Sequence, residues 1–267
     1  MSPGEPRVIH YGELTWPEVA ALPRGLPLLL PLGSGCDPTR AAEALGVSEL
    51  CLLPAVPYGW SGSLLAVEPQ LFARAVQGVL SAPREEGFRQ LAVLEPEGLE
   101  LEVEGAQVLH APPDMLSDDW PRDLGFNPQR VVLVPVGHTE QHGLHLPMST
   151  DTIIIGSIAQ GAAAAAPARA ETLPAFPYGA STHRDQFAGT FNMGGRTLED
   201  LMLGVVGALV EAGADRVYLM SGHGGNMSFL VNVVKFAGER YPGAFTATAY
   251  LHTSGRLGSE AIARHRR

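Results

Sequence analysis

The stretch VVLVPVGHTEQHGLHLPMSTD, Val131 to Asp151, indicates most clearly how this chain folds. It opens with VVLVPV, a run whose apolar and β-branched content is typical of a buried strand. A glycine ends the run, and a loop rich in carboxylates and imidazoles follows it. Open α/β sheets place their ligand sites at the carboxyl ends of their strands. The stretch therefore predicts a parallel α/β sheet with a functional loop at its edge.

Three side chains of the types that bind metals lie in this loop, namely Glu140, His142 and Asp151. Glu140 and His142 are two residues apart, so they can point to one side of an extended backbone. Asp151 can return to them after the bend at Leu146 and Pro147. A mixed set of carboxylates and imidazoles suits zinc or manganese. Solvated lysine or serine residues would be ordinary in such a loop, so three side chains of ligand type are unusual there. We therefore predict that these three bind metal.

A second apolar run, DRVYLM, ends in the glycine-rich motif SGHGGN, Ser221 to Asn226. The motif places His223 at the equivalent edge of the sheet, and its spacing alone fits a metal ligand and a hydrogen-bonded structural residue equally well. Its glycines allow the backbone to approach a metal or a substrate closely. Its N–H groups begin a helical pattern and could hold an anion or oxyanion. We therefore expect Gly224 and Asn226 to contact the substrate.

Further polar candidates lie between these motifs, in YGASTHRDQFAGTF, Tyr178 to Phe191. Ser181 and His183 are candidate catalytic residues, and Ser181 and Arg184 are candidate substrate contacts. Local capping or pairing is the alternative for His183 and Arg184. We expect His145 to pack or to support the metal ligands. Ordinary structural roles are expected for three other histidines, His110, His138 and His252.

These motifs resemble those of the creatininase (creatinine amidohydrolase) family. PVGHTEQHGLHLPMSTD and SGHGGN are similar to its paired metal signatures, and YGASTHRDQFAGT is similar to the segment between them. The resemblance implies a homo-oligomer, dimer to hexamer, with two ions per site: zinc or manganese, with iron(II) as a further candidate. Asp151 would bridge the ions, with Glu140 and His223 on one and His142 on the other.

The resemblance also implies that metal-activated water hydrolyses a C–N amide bond in a small cyclic amide, a formamide or a peptide end. His183 would return a proton to the leaving nitrogen. Creatininase carries a further metal-binding glutamate where this sequence has Gly225, and other relatives supply one from a later His-Ala-Gly-Glu motif that this sequence lacks. Truncation before that motif, a substitute such as Glu239 or Glu260, and an impaired relative all stay open. The alternative function is a creatininase-like scaffold or binding protein that retains at most one metal.

The sequence also indicates that one unit occurs twice. The runs PLLLPLGSG (residues 27–35) and VVLVPVGHT (residues 131–139) correspond in order and type. Helical stretches follow at Phe72 to Gly87 and at Leu198 to Gly213, each leading into another apolar run. The first copy lacks the imidazoles of the second, so we interpret it as degenerate and kept for packing, for lining the site or for an oligomer contact.

These patterns predict an α/β fold with three layers, α/β/α, a mainly parallel sheet and an internal duplication. The predicted boundaries are residues 1–110 for the degenerate creatininase-like unit, 111–130 for a linker and 131–267 for the metal-binding unit.

Composition argues against several classes of function. The formal net charge of -10 disfavours a nucleic-acid partner, because such binding draws on basic residues. No apolar stretch reaches the ~18 residues that span a membrane, and the first residues lack the pattern of a signal peptide. Cys36 and Cys51 form neither a Cys-x-x-Cys pair nor a zinc-finger pattern, which favours the cytoplasm. We expect a small-molecule or peptide substrate and no membrane partner.

Overall fold

The computed structural model describes residues 5–33, 35–63, 65–96, 99–111, 127, 129–183 and 186–251. Its strands are Arg7–His10 (β1), Leu28–Pro31 (β2), Glu49–Leu52 (β3), Leu91–Pro96 (β4), Gln107–Ala111 (β5), Val131–Val136 (β6), Ala170–Thr172 (β7), Arg216–Ser221 (β8) and Phe245–Tyr250 (β9). Its α-helices are Trp16–Ala21 (α1), Pro38–Leu45 (α2), Pro69–Glu85 (α3), Thr150–Ala165 (α4), Gly195–Glu211 (α5) and Met227–Arg240 (α6). Within the described ranges, no helix is both long enough and apolar enough to cross a membrane.

The strands form two sheets in which every neighbouring pair is parallel. One sheet has the order β1-β3-β2-β4-β5 and the other has the order β7-β6-β8-β9. The predicted α/β fold with parallel strands is therefore confirmed, and its strands divide between two sheets. Parallel neighbours need crossover connections, and most of the helices supply them.

Helices cover both faces of each sheet, as a layered α/β arrangement requires. Successive strand residues point to opposite faces, so Leu30 and Val134 enter one shared core with α3, α5 and α6. Leu29 faces the other way and packs in a separate cluster with α2. Leu133 does the same with Ile155 of α4. The shared core joins the two sheets into one apolar interior.

The two sheets repeat the same connections. β2 lies between β3 and β4 in one, as β6 lies between β7 and β8 in the other. Beyond β3, the Val56 N–H donates to the Pro31 carbonyl at 3.0 Å, and beyond β7 the Phe176 N–H donates to the Pro135 carbonyl at 2.9 Å. This correspondence is consistent with the predicted duplication, which stays a prediction. Most of the predicted linker, residues 112–126 and 128, lies outside the described residues.

The loop after β6 lies directly against the start of α4. A Cβ on Gly137 would be only 2.5 Å from the Thr152 Cα, so no side chain fits there. The Thr152 hydroxyl donates to the His138 carbonyl at 3.1 Å. This close packing brings the first turn of α4 to the carboxyl end of β6.

Candidate metal centre

The loops that follow β6, β7 and β8 converge at one edge of the second sheet. The Gly222 N–H donates to the Val136 carbonyl at 2.9 Å and extends the pairing of β6 with β8. Asn226 joins all three loops, because its Oδ1 accepts from the Ala180 N–H at 3.0 Å and its Nδ2 donates to the Gly137 carbonyl at 3.0 Å. It is fully buried. The substrate contact that we expected of Asn226 stays a prediction, and in the structure its amide holds the loops together.

Asp151 is buried in the first turn of α4, with each carboxylate oxygen facing a different imidazole. Oδ1 lies 3.1 Å from Nε2 of His142, and Oδ2 lies 3.0 Å from Nδ1 of His223. The same Nδ1 is 3.2 Å from Oε1 of Glu140. Donor atoms that share one ion at ordinary bond lengths are separated by roughly 3 to 3.5 Å. The four predicted ligands are therefore spaced as the donors of a metal site are.

The hydrogen bonds of His142 are those of a typical metal-binding imidazole. Its Nδ1 lies 3.0 Å from the Glu140 carbonyl oxygen and donates to it. That bond assigns the proton to Nδ1 and leaves the lone pair of the neutral ring on Nε2, the nitrogen that faces Asp151. Ligand atoms of Glu140, His142 and Asp151 all lie within 4.8 Å of one another. A nitrogen lone pair and two carboxylates are thus available to one cation.

The ionisable groups of the site stabilise each other's charges. Although burial opposes it, hydrogen bonds with Asp151 and Glu140 raise the pKa of His223 to about 9. Asp151 and His142 form a second pair. Burial opposes the ionisation of both, but their mutual hydrogen bond lowers the pKa of Asp151 and raises that of His142. Positive charge is therefore favoured where the carboxylates meet, which is the place a divalent cation would take.

An open cavity of about 490 Å³ leads to this group. It is lined by Glu140, Gln141, His142, Gly143, Asp151, His183, His223, Gly224 and Tyr250. Tyr250 was not among the predicted site residues, and burial raises the pKa of its phenol. It could have been found from topology, because β9 pairs with β8 and ends at the same edge of the sheet.

Of the other predicted site residues, one is buried and supports a proposed ligand, and two are exposed in the cavity. Ser181 is fully buried and donates its hydroxyl to Oε2 of Glu140 at 2.8 Å, so it orients that carboxylate. His183 and Gly224 are exposed and line the cavity. The His183 ring stacks on the His223 ring with centroids 5.7 Å apart. Arg184 lies outside the described residues.

Two histidines differ from what we expected. His145 is exposed, so it neither packs nor supports a ligand among the described residues. His138 is fully buried beside the site, with its ring centroid 4.4 Å from that of His223. Burial, together with the charge on His223, lowers the pKa of His138 to about 3, so its ring is neutral. The missed signal was the alternation of His138, Glu140 and His142 along extended backbone.

Gly225, in the turn after β8, has no space for a side chain that could bind metal. A Cβ on Gly225 would meet both the Ala180 carbonyl oxygen and Nε2 of His223. Of the two substitute carboxylates, Glu239 is exposed near the far end of α6, about 18 Å along the helix from the site. Glu260 lies outside the described residues.

Comparisons with known proteins place these motifs in context. The sequence profile of Creatininase, described as creatinine amidohydrolase, matches residues 120–265, more than half of the 267 residues. The mycofactocin precursor peptide peptidase of Mycolicibacterium smegmatis is 37% identical over 135 residues, which cover 46% of this chain and 53% of that protein. The creatinine amidohydrolase of Pseudomonas putida is 30% identical over 112 residues, which cover 40% of this chain and 42% of that protein.

A solved creatininase with manganese is 28% identical, with a TM-score of 0.43 over 46% of this chain and 51% of that chain. The chain spans about half the length of the curated relatives that it matches.

Proposed function

Because the profile match covers more than half of its length, this chain belongs to the creatininase family, and on that premise we propose that it is a metal-dependent hydrolase of C–N amide bonds. The observation that carries the proposal is Asp151, a buried carboxylate whose two oxygens lie 3.1 Å and 3.0 Å from two different imidazoles. A carboxylate placed in this way suits a bridge between two ions.

Zinc or manganese is the proposed cofactor, with iron(II) as a third candidate. Two imidazoles and two carboxylates form the mixed nitrogen and oxygen donor set that these ions accept. Asp151 would bridge, Glu140 and His223 would hold one ion, and His142 would hold the other. A bound ion of this kind polarises an amide carbonyl and lowers the pKa of water toward neutrality.

The chain's own residues orient the substrate and move its proton. His183 is exposed to the cavity and supported by stacking on His223, so it is placed to donate a proton to the leaving nitrogen. Gly224 lines the same cavity, and its backbone N–H would stabilise negative charge that develops on the carbonyl oxygen. Arg184, the residue after His183, remains a proposed substrate contact.

A peptide end is the substrate class that we favour, with small cyclic amides and formamides as the alternatives. The relative that is 37% identical is named a precursor peptide peptidase, and the one that is 30% identical is named a creatinine amidohydrolase. Next to the cavity residue Gly143, Leu144 is 71% exposed and Leu146 is 41% exposed. Exposed apolar side chains beside a cavity suit a peptide better than a small polar ring.

We also propose a cytoplasmic homo-oligomer, from dimer to hexamer. Phe236 on α6 and Phe245 on β9 are 44% and 68% exposed, and such apolar surface is available for contact between copies.

Metal content tests the proposed function. We expect nearly two equivalents of zinc or manganese per chain in wild type purified without chelator, and almost none in Asp151→Ala. The matched control is Glu199→Gln, because Glu199 is also a buried carboxylate but bonds Asn232 of α6 at 2.6 Å. Its metal content should equal that of wild type. Hydrolysis is then assayed as amine release from peptides, cyclic amides and formamides.

Metal-loaded wild type that cleaves none of these substrates and holds at most one equivalent would favour the alternative, a scaffold or binding protein. Wild type without metal would overturn the proposal.

A further inference from the structure

We propose that His138 is a ligand of the ion at Glu140 and His223, an inference that rests on the proposed metal-dependent function. His138 is two residues before Glu140, so on extended backbone both side chains point to the same side. Ligand atoms of His138, Glu140 and His223 lie within 4.8 Å of one another. All three residues are buried. Donor atoms that share one ion lie roughly 3 to 3.5 Å apart, so these atoms would have to draw closer around it.

The His138 ring has unsatisfied polar atoms. Neither of its nitrogens makes a hydrogen bond within the described part of the chain, although both are buried. The Phe191 carbonyl lies close enough to favour the charged ring weakly, but outside hydrogen-bond geometry. A buried polar group without a partner costs about 1 to 3 kcal/mol. An ion on one nitrogen, with the other turned to the Phe191 carbonyl, would remove that cost and match the usual surroundings of a metal-binding imidazole.

One ring nitrogen of His223 also lacks a hydrogen-bond partner within the described residues. Its Nδ1 faces the carboxylates, while its Nε2 is buried without a partner. The His138 and His223 rings are tilted by 32° with centroids 4.4 Å apart. A histidine that only fills space is normally hydrogen-bonded through at least one nitrogen. His138, with neither nitrogen bonded and beside both a carboxylate and a second imidazole, instead matches a cation site.

With His138, the two ions of the site become unequal. The ion at His223 gains four protein donors, from His138, Glu140, Asp151 and His223, a number typical of a closed tetrahedral site. The ion at His142 keeps fewer protein ligands, because Gly225 offers none. We therefore expect one tightly held ion and one that exchanges more readily.

The test compares His138→Phe, which keeps a ring of similar size but removes both nitrogens, with His145→Phe on the exposed part of the same loop. Each protein is loaded with one equivalent of zinc, and X-ray absorption fine structure counts the imidazoles on the ion. We expect two imidazoles in wild type and in His145→Phe, and one in His138→Phe. Competition with a chelator should show zinc affinity reduced at least about 100-fold in His138→Phe alone.

A second variant separates His138 from His142 as the source of the second imidazole. His142→Ala loaded with one equivalent of zinc should still show two imidazoles, from His138 and His223, and this variant also serves if His138→Phe does not fold. One imidazole in His142→Ala, or two in folded His138→Phe, would overturn the role of His138 and leave the proposed function intact. Wild type that binds no zinc would overturn the proposed function itself.

Discussion

At the scale of single residues, Asp151 sets the charge state of the site, because His142 and His223 depend on the same carboxylate. Each imidazole gains a partner for its proton, and each can exchange that proton for a cation at nearly the same place. Proton and metal therefore compete for the same positions. This competition links the stability of the fold to pH.

Protein stripped of metal with a chelator should lose stability as the pH rises. The pKa of His223 is raised from an unfolded value of about 6.5 to about 9. Its contribution is therefore complete below about pH 6.5 and is lost as the pH passes the folded pKa. We expect the free energy of unfolding, measured with urea, to fall by roughly 3 kcal/mol between these limits.

The control for this prediction is His223→Gln, which should show a much smaller fall over the same range. A chelated wild type whose stability stays constant or increases between the two pKa values would contradict the coupling. With saturating zinc the trend should reverse, because metal binding requires the unprotonated ring.

Ser181→Ala should weaken metal binding without unfolding the protein. The hydroxyl donates to Oε2 of Glu140 at 2.8 Å, and without it that carboxylate is free to turn away from the ion. We expect about a 10-fold rise in the dissociation constant for zinc, measured by chelator competition. Ser157→Ala is the matched control, because that hydroxyl bonds the Ile153 carbonyl of its own helix. Equal affinities in the two variants would refute the role of Ser181.

The sequence identified the types of residue at the site better than their roles. Glu140, His142 and Asp151 could be predicted to meet because they follow one strand closely. Ser181 and Asn226 were expected at the substrate, but their hydrogen-bond partners are 41 and 46 residues away in the chain. Only the packed loops determine such pairs, so no local pattern reveals them.

At the scale of elements, the short 3-10 helix Gly224–Asn226 places two adjacent glycines in opposite situations. A Cβ on Gly224 would meet nothing within 4 Å, whereas one on Gly225 would meet Nε2 of His223. Gly225→Ala should therefore displace the imidazole, reduce zinc affinity at least about 10-fold and lower the free energy of unfolding by about 1 to 3 kcal/mol. Gly224→Ala should match wild type in both measurements, and a Gly225→Ala protein with unchanged affinity would contradict the close approach.

Periodicity predicted the elements better than their arrangement. The helices expected over Phe72 to Gly87 and Leu198 to Gly213 are α3 and α5, each shifted toward the amino terminus by two or three residues. We placed the end of each helix at a glycine, Gly87 or Gly213, but the helices end two residues earlier, at Glu85 and Glu211. The division into two sheets was not predicted, because apolar runs indicate buried strands but not their partners.

At the scale of the whole molecule, the half without metal ligands and the half with them share one core. The Tyr178 hydroxyl donates to the Pro54 carbonyl at 2.5 Å across the two halves. Gly204 of α5 lies so close to Val67 that an added Cβ would be 2.9 Å from its side chain. Because the core is common to both halves, we expect them to unfold together.

Metal binding in the second half should therefore stabilise the first. Trp60 is buried in the shared core and contacts Phe72, so its fluorescence reports on the first half. In a Trp16→Phe, Trp120→Phe variant, zinc at about 100 times its dissociation constant should add about 2.7 kcal/mol to the free energy of unfolding seen by Trp60. Adding Asp151→Ala should abolish the shift. A Trp60 transition unaffected by zinc, with a second transition in circular dichroism, would show that the halves unfold separately.

The shared core also limits how far this protein can be shortened for engineering. A recombinant fragment that begins at β6 would carry every proposed ligand, but α5 would expose the apolar surface that it presents to α3, including Leu201 and the face around Gly204. Such a fragment would tend to aggregate before it could be loaded with zinc. A minimal version therefore has to retain the first sheet or replace the α5 face with polar residues.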